Sequence, residues 1–191
     1  MADRKQPPPA PKKPNTASLH EAALAYLARY AATQAGVIRV LDRRVANWAR
    51  VTEGVEPEDI AALRALVRQE AARLVQVGLV NDAEFAASRA RSLTRAGRSR
   101  RAVSAHLGAK GVGAEIVQSA LPDDPDAEFA ACVVLVRKRR LGPYRNPERE
   151  ADRMRELAVL ARAGFSHNVA ARALELDAEA AEDLIIALRA S

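Results

Sequence analysis

Residues 78–121 read GLVNDAEFAASRARSLTRAGRSRRAVSAHLGAKGVGAEIVQSAL. This stretch decides the fold. Its apolar residues Phe85, Leu93, Val103, Leu107, Val112, Ile116, Val117 and Leu121 recur at helical spacing. Gly97, Gly108 and Gly111 punctuate the pattern, so the spacing predicts helices over about 82–96, 99–109 and 113–121. Three helices this short cannot enclose a large core, so such units must stack in tandem. Working outward, DAEFAA at 82–87 occurs again at 126–131, and both copies are followed by basic residues, which indicates internal repetition.

The same rules extend along the chain. Helices are predicted over 19–32, 36–49, 57–77, 125–141, 147–163, 166–175 and 178–189. Pro57, Pro122, Pro125, Pro143 and Pro147 mark helix starts and loops. Ser18, with Glu21 three residues later, has capping-box spacing, and Asp82 and Ser166 are the expected caps of two later helices. The run CVVLV at 132–136 is β-branched, but Phe129, Cys132, Val133, Val136 and Leu141 keep helical spacing. The reading is an all-α fold of about three tandem three-helix, helix-turn-helix-like repeats in an elongated modular arrangement. Residues 1–17 form a Pro- and Lys-rich disordered tail, followed by a divergent first repeat at 18–80. A second repeat takes 81–122, and a third, with the C-terminal helix, takes 123–191.

Charge is the main functional signal. Between Phe85 and Glu115 there is no acidic residue, yet Arg89, Arg91, Arg95, Arg98, Arg100, Arg101 and Lys110 all fall there. Those seven cations exceed the formal net charge of the whole chain, +6. Like charges repel in a compact state, so the concentration points to a polyanion or an acidic protein surface. Arg98, Arg100 and Arg101 stand at a predicted helix start, where the dipole disfavours cations and free N–H groups suit phosphate. A second cluster, Arg137, Lys138, Arg139 and Arg140, closes the helix over 125–141; there the dipole alone would favour cations. Tyr144 nearby could stack on a base.

Other features argue against chemistry. The chain has a single cysteine, Cys132, in an apolar run, so it has no internal disulfide and reads as a buried structural thiol. His20, His106 and His167 lie in separate segments without metal-ligand spacing. Asp123/Asp124 and Glu182/Asp183 read as capping and solubility features. No P-loop, dinucleotide fingerprint or nucleophile elbow occurs. The expectations are no catalytic residue, no cofactor, no metal and no membrane segment, in a cytoplasmic monomer.

The central stretch resembles the middle repeat of the RecX family, regulators of the RecA recombinase. The opening Gly78, Leu79, Asn81, Asp82, Phe85 and Ala86 match that family's Gly-Leu-x-[Asp/Asn]-Asp-x-x-Phe-Ala pattern. The basic helix is matched by Arg89, Arg91 and Arg95, and the following turn and helix by Gly97, Arg98, Arg101, Val103, Leu107, Lys110, Gly111 and Val112. Ser99 and Arg100 replace a usual Gly-Pro, and Ala102 stands where a second Arg is common. LHEAALAYLARYAAT at 19–33 is similar to the family's first helix. Arg162, Gly164, Phe165, Ser166 and Val169 are similar to its closing segment. The resemblance implies three tandem three-helix repeats that bind the RecA filament on single-stranded DNA and lower its ATPase, strand-exchange and co-protease activities. The expected partners are the RecA filament together with single-stranded and double-stranded DNA. The alternative is a nonspecific helix-turn-helix-type DNA-binding protein or transcription regulator. Against sequence-specific readout, VGAEIVQSAL at 112–121 has no Arg, Lys or Asn for base edges.

Overall fold

The computed structural model describes residues 12–148 and 152–190. Among them, helices and turns account for all regular structure and there is no strand. They fall into two compact units, one ending at Asp82 and the other beginning at Ala83. Of the tail expected over residues 1–17, residues 1–11 lie outside the described residues, while Lys13 pairs with Asp59 and the first helix already begins at Thr16, capped by Asn15.

The first unit holds α1 (Thr16–Leu27), α2 (Gln34–Val51) and α3 (Pro57–Gln76). Val37, Leu41, Val45 and Trp48 form one buried stripe of α2, as i, i+4 periodicity requires. It packs with Leu19 and Ala23 of α1 and with Leu63, Val67, Ala71 and Leu74 of α3. Trp48 is therefore a core residue, 6% exposed.

The start of α1 differs from expectation. Asn15 is the cap: its side chain accepts from the Ser18 N–H at 2.9 Å, and the Ser18 hydroxyl accepts from the Asn15 N–H at 3.0 Å. Ser18 is thus the third helical residue of a reciprocal box. Asp82 also does something other than expected. It is the first residue of its own helix, and its carboxylate accepts from the Gln34 N–H at the start of α2, 2.8 Å away. Together with the Thr33 hydroxyl, which accepts from Gly36 at 2.9 Å, it satisfies donors that a helix start leaves orphaned. The Glu70 carboxylate, 3% exposed, is met by His20 Nδ1 at 2.7 Å and by Arg73 at 3.7 Å.

The second unit contains α4 (Asp82–Arg95), apart from its first residue, then α5 (Arg100–Ala109) and α6 (Ala114–Ala120). Further on come α7 (Pro125–Arg139), a 3₁₀ turn (Gly142–Tyr144), α8 (Arg153–Arg162), α9 (His167–Glu175) and α10 (Ala178–Ala190). Two hydrophobic clusters lie within it. The smaller is built from Ala86, Ala90, Val103, Leu107, Val112, Val117 and Leu121, a set of alanines, valines and two leucines without a buried aromatic, which removes modest area from water. The larger surrounds α7, whose residues 130–134 and Val136 are all buried. A helix apolar on every side belongs at the centre of a bundle, which is why CVVLV is helical despite its branching. Leu160, Phe165, Leu174 and Ile185 pack around it.

The helix expected over 147–163 begins instead at Arg153, capped by Asp152, which accepts from the Arg155 N–H at 2.9 Å. Asn146 accepts from the Glu148 N–H at 3.1 Å, a local turn that places Pro147 before the helix rather than inside it. Arg145 ahead of it makes two 2.8 Å bonds to Glu156, a buried carboxylate.

Candidate functional site

The cations of the central stretch lie on α4, on the turn after it and on α5. Arg91 and Arg95 are four residues apart on α4 and both exposed, so they share a face. Arg89 Nε donates to His106 Nε2 across to α5 at 3.3 Å. Burial, with Arg89, Lys110 and Arg98 around the ring, holds the His106 imidazole below its ordinary range. The fold therefore brings Arg89, Arg98 and Lys110 to one place, about an imidazole that stays neutral and accepts from arginine.

The turn from α4 to α5 is a joint within the second unit. Gly97 has φ +81°, and a Cβ there would stand 2.9 Å from Val134 Cγ1 and 3.0 Å from the Leu135 nitrogen of α7. Ser99 is fully buried. Its hydroxyl accepts from the Ala102 N–H at 3.2 Å, capping α5, and donates to the Ala163 carbonyl at the end of α8 at 2.7 Å. Lys138 Nζ donates to the Ala96 carbonyl at 2.7 Å.

This joint corrects one part of the sequence argument. Two of the N–H groups at the start of α5 are taken inside the fold rather than left free for phosphate: that of Arg100 donates to Glu128 Oε2 at 2.7 Å and that of Ala102 to the Ser99 hydroxyl. The carboxylate also answers the dipole at that end. The Arg100 guanidinium turns away and donates to the Leu121 carbonyl at 3.2 and 3.0 Å, closing the end of α6. Arg100 thus serves its own fold.

The second cluster divides in the same way. Arg137 is paired with Glu182 at 2.8 Å, and Tyr144 donates its hydroxyl to the same carboxylate at 2.8 Å. Burial and Glu182 push the Tyr144 hydroxyl up to about 12, and its ring packs partly against the cluster around α7, so the side chain has a structural role in the fold. Glu182, expected on a solvated face, is the acceptor that ties α7 to α10. Arg139 and Arg140 are exposed. Arg140 takes a left-handed conformation, φ 54°, at the end of α7, where glycine costs least. Cys132 is buried, and burial pushes its thiol up to about 12, which makes it inert.

Of the eleven cations singled out from the sequence, Arg100, Arg137 and Lys138 are thus held by the fold, and Arg89 is held by His106. Among the described residues Arg91, Arg95, Arg98, Arg101, Arg139 and Arg140 have no carboxylate or carbonyl partner. None of the described helices is long and apolar enough to cross a membrane.

A family model described as RecX, second three-helix domain, matches residues 81–121. Among curated proteins, the regulatory protein RecX of Myxococcus xanthus (strain DK1622) is 42% identical over 172 residues, covering 88% of this chain and 90% of that one. The regulatory protein RecX of Thermobifida fusca (strain YX) is 34% identical over 158 residues, 80% of this chain and 83% of that one. That of Agrobacterium fabrum (strain C58 / ATCC 33970) is 34% identical over 131 residues, 67% of this chain and 70% of that one.

Proposed function

The chain belongs to the RecX family of regulatory proteins, and on that premise we propose that it binds the RecA filament on single-stranded DNA and inhibits it. Lower recombinase ATPase, strand exchange and co-protease activity follow from that binding. On this reading the segments 18–80, 81–122 and 123–191 are the three repeats, and the chain acts by contact and without chemistry of its own.

The observation that carries the reading is the set of arginines without internal partners on α4, its turn and α5. Arg91, Arg95, Arg98 and Arg101 stand in a stretch that has no acidic residue between Phe85 and Glu115. None of the four makes an ion pair among the described residues, although Asp124 and Glu128 line the same clefts as Arg91, Arg95 and Arg101, and an anionic surface would supply the direct partner they lack. A nucleoprotein filament offers both acidic side chains and phosphates. Arg140 supports the same reading: an arginine kept in a left-handed conformation costs roughly 1–2 kcal/mol that glycine would not, which fits a side chain retained for contact. Arg139 beside it extends the surface. Several modest contacts repeated on neighbouring recombinase protomers give avidity without any one strong pair.

The test is the single-strand-dependent ATPase rate of the cognate recombinase with this protein titrated in at fixed salt. Inhibition below one copy per recombinase protomer is expected. An unchanged rate, with salt-sensitive DNA binding retained, would overturn the reading in favour of a nonspecific DNA-binding protein.

A further inference from the structure

The first unit carries a basic groove that the reading above does not use. Its floor is one stripe of α2, running through Arg43, Arg44, Asn47 and Trp48 to Arg50, and its wall is the chain from Lys12 to Ser18. The groove encloses about 850 Å³ and no acidic residue lines it. Arg43, Arg44 and Arg50 are exposed, as is Lys12, and none of the four makes an ion pair among the described residues. Lys13 is different: its ammonium is paired with Asp59 at 2.6 Å and lies 5.9 Å from the Trp48 ring centroid. It fixes the wall to the helices and is not counted as a free charge.

Local structure does not account for this arrangement. Arg50 lies in the last turn of α2, where the dipole welcomes a cation, but Arg43 and Arg44 are at mid-helix, where it does not. They are adjacent to each other and share the groove with Lys12, so the group is held against its own repulsion. We infer that this groove binds single-stranded DNA through its phosphodiester backbone. A positively charged channel that tracks a backbone is the general solution for unpaired strands. Duplex readout instead needs a helix that protrudes into a groove about 12 Å wide, whereas this stripe of α2 is the floor of a walled cleft. Asn47 supplies an amide for a base or sugar. Trp48 has only an edge at the floor, since it is 6% exposed, and it does not stack; it is a reporter.

The site is independent of any recombinase, so its test uses DNA alone and its failure leaves the filament reading standing. Labelled oligothymidylate is titrated with the full-length protein by fluorescence anisotropy between about 50 and 200 mM salt. The wild type is compared with an Arg43→Gln/Arg44→Gln/Arg50→Gln variant of equal helicity. Each lost contact with a single strand removes about 0.7 from the log–log salt slope, so three remove about 2. Over that fourfold rise in salt the wild type should therefore lose about 20-fold more affinity than the variant. The chain has one tryptophan, so its emission in the unmodified protein reports on this groove without any substitution, and oligothymidylate should quench it. An unchanged slope together with unchanged Trp48 emission would overturn the inference. So would duplex DNA depending on the three arginines as strongly as the single strand does, or polyglutamate quenching Trp48 equally, which would make the groove a site for an acidic protein.

Discussion

The Ser99 hydroxyl lies 2.7 Å from the Ala163 carbonyl, and this bond fixes the basic turn between α4 and α5 against the end of α8. The same oxygen caps α5. It also occupies the space beside Gly164, where an added Cβ would meet it at 2.6 Å. The turn that carries Arg98 and Arg101 is therefore positioned by its buried member. Ser99→Ala removes a cap and leaves a carbonyl unpaired, so it should cost about 2 kcal/mol. Gly164→Ala and Gly97→Ala each place a side chain at positive φ, +96° and +81°. Each should cost at least about 2 kcal/mol once the clash is added. Urea denaturation checks all three; midpoints equal to wild type would contradict the packing described.

Arg100 and its neighbours should separate by phenotype. Arg100→Ala frees the Leu121 carbonyl and should destabilise by about 1–2 kcal/mol. Arg98→Ala and Arg101→Ala should leave the thermal midpoint unchanged and weaken partner binding. A stable Arg100→Ala protein would show that its bonds to Leu121 are not maintained in solution.

At Arg140 the prediction runs the other way. Arg140→Gly relieves a left-handed arginine and should raise stability by up to about 1 kcal/mol, while reducing inhibition of the recombinase. Gain of stability with full inhibition would remove Arg140 from the contact surface.

His106 gives a pH signature. Its folded pKa is depressed from 6.5, first by burial and then by Arg89, Lys110 and Arg98. The unfolded chain therefore binds more protons below about pH 6.5, and stability falls as pH drops through that window. Denaturation at about pH 7.5 and about pH 5.5 should show a larger loss for wild type than for His106→Gln. Equal losses would contradict the assignment. An anion docked among the same cations should raise the His106 pKa, so binding should take up a proton.

Most of the helices were legible because periodicity and local caps are written within a few residues. Ser166 and Asp124 cap the helices they precede. What the sequence did not disclose are partners distant in the chain. Asn15 and Ser18 stand three apart and both are cap residues, so the box could be read from either end, and only the fold selects Asn15. Asp82 has the type and position of a cap for α4, yet its acceptor is spent on Gln34, 48 residues earlier. Pro147 looked like a helix start, but Asn146 makes a turn there and Asp152 is the better cap. The same limit applies to the basic band. Composition located it, and the acid-free interval from Phe85 to Glu115 is visible by eye. That Glu128 takes the N–H of Arg100, and Glu182 the charge of Arg137, depends on helices brought alongside by folding. The bond from the Tyr144 hydroxyl to Glu182 is hidden from local sequence for the same reason, because the partner is 38 residues away.

The central claim is that the unpartnered arginines of α4, its turn and α5 engage the recombinase filament. The most direct measurement compares wild type with an Arg91→Glu/Arg95→Glu/Arg98→Glu/Arg101→Glu variant in the single-strand-dependent ATPase assay, with helicity and melting matched. The account predicts that the variant needs at least tenfold more protein for half-inhibition, about 1.4 kcal/mol of lost contact. A folded variant that inhibits at the wild-type midpoint would contradict it.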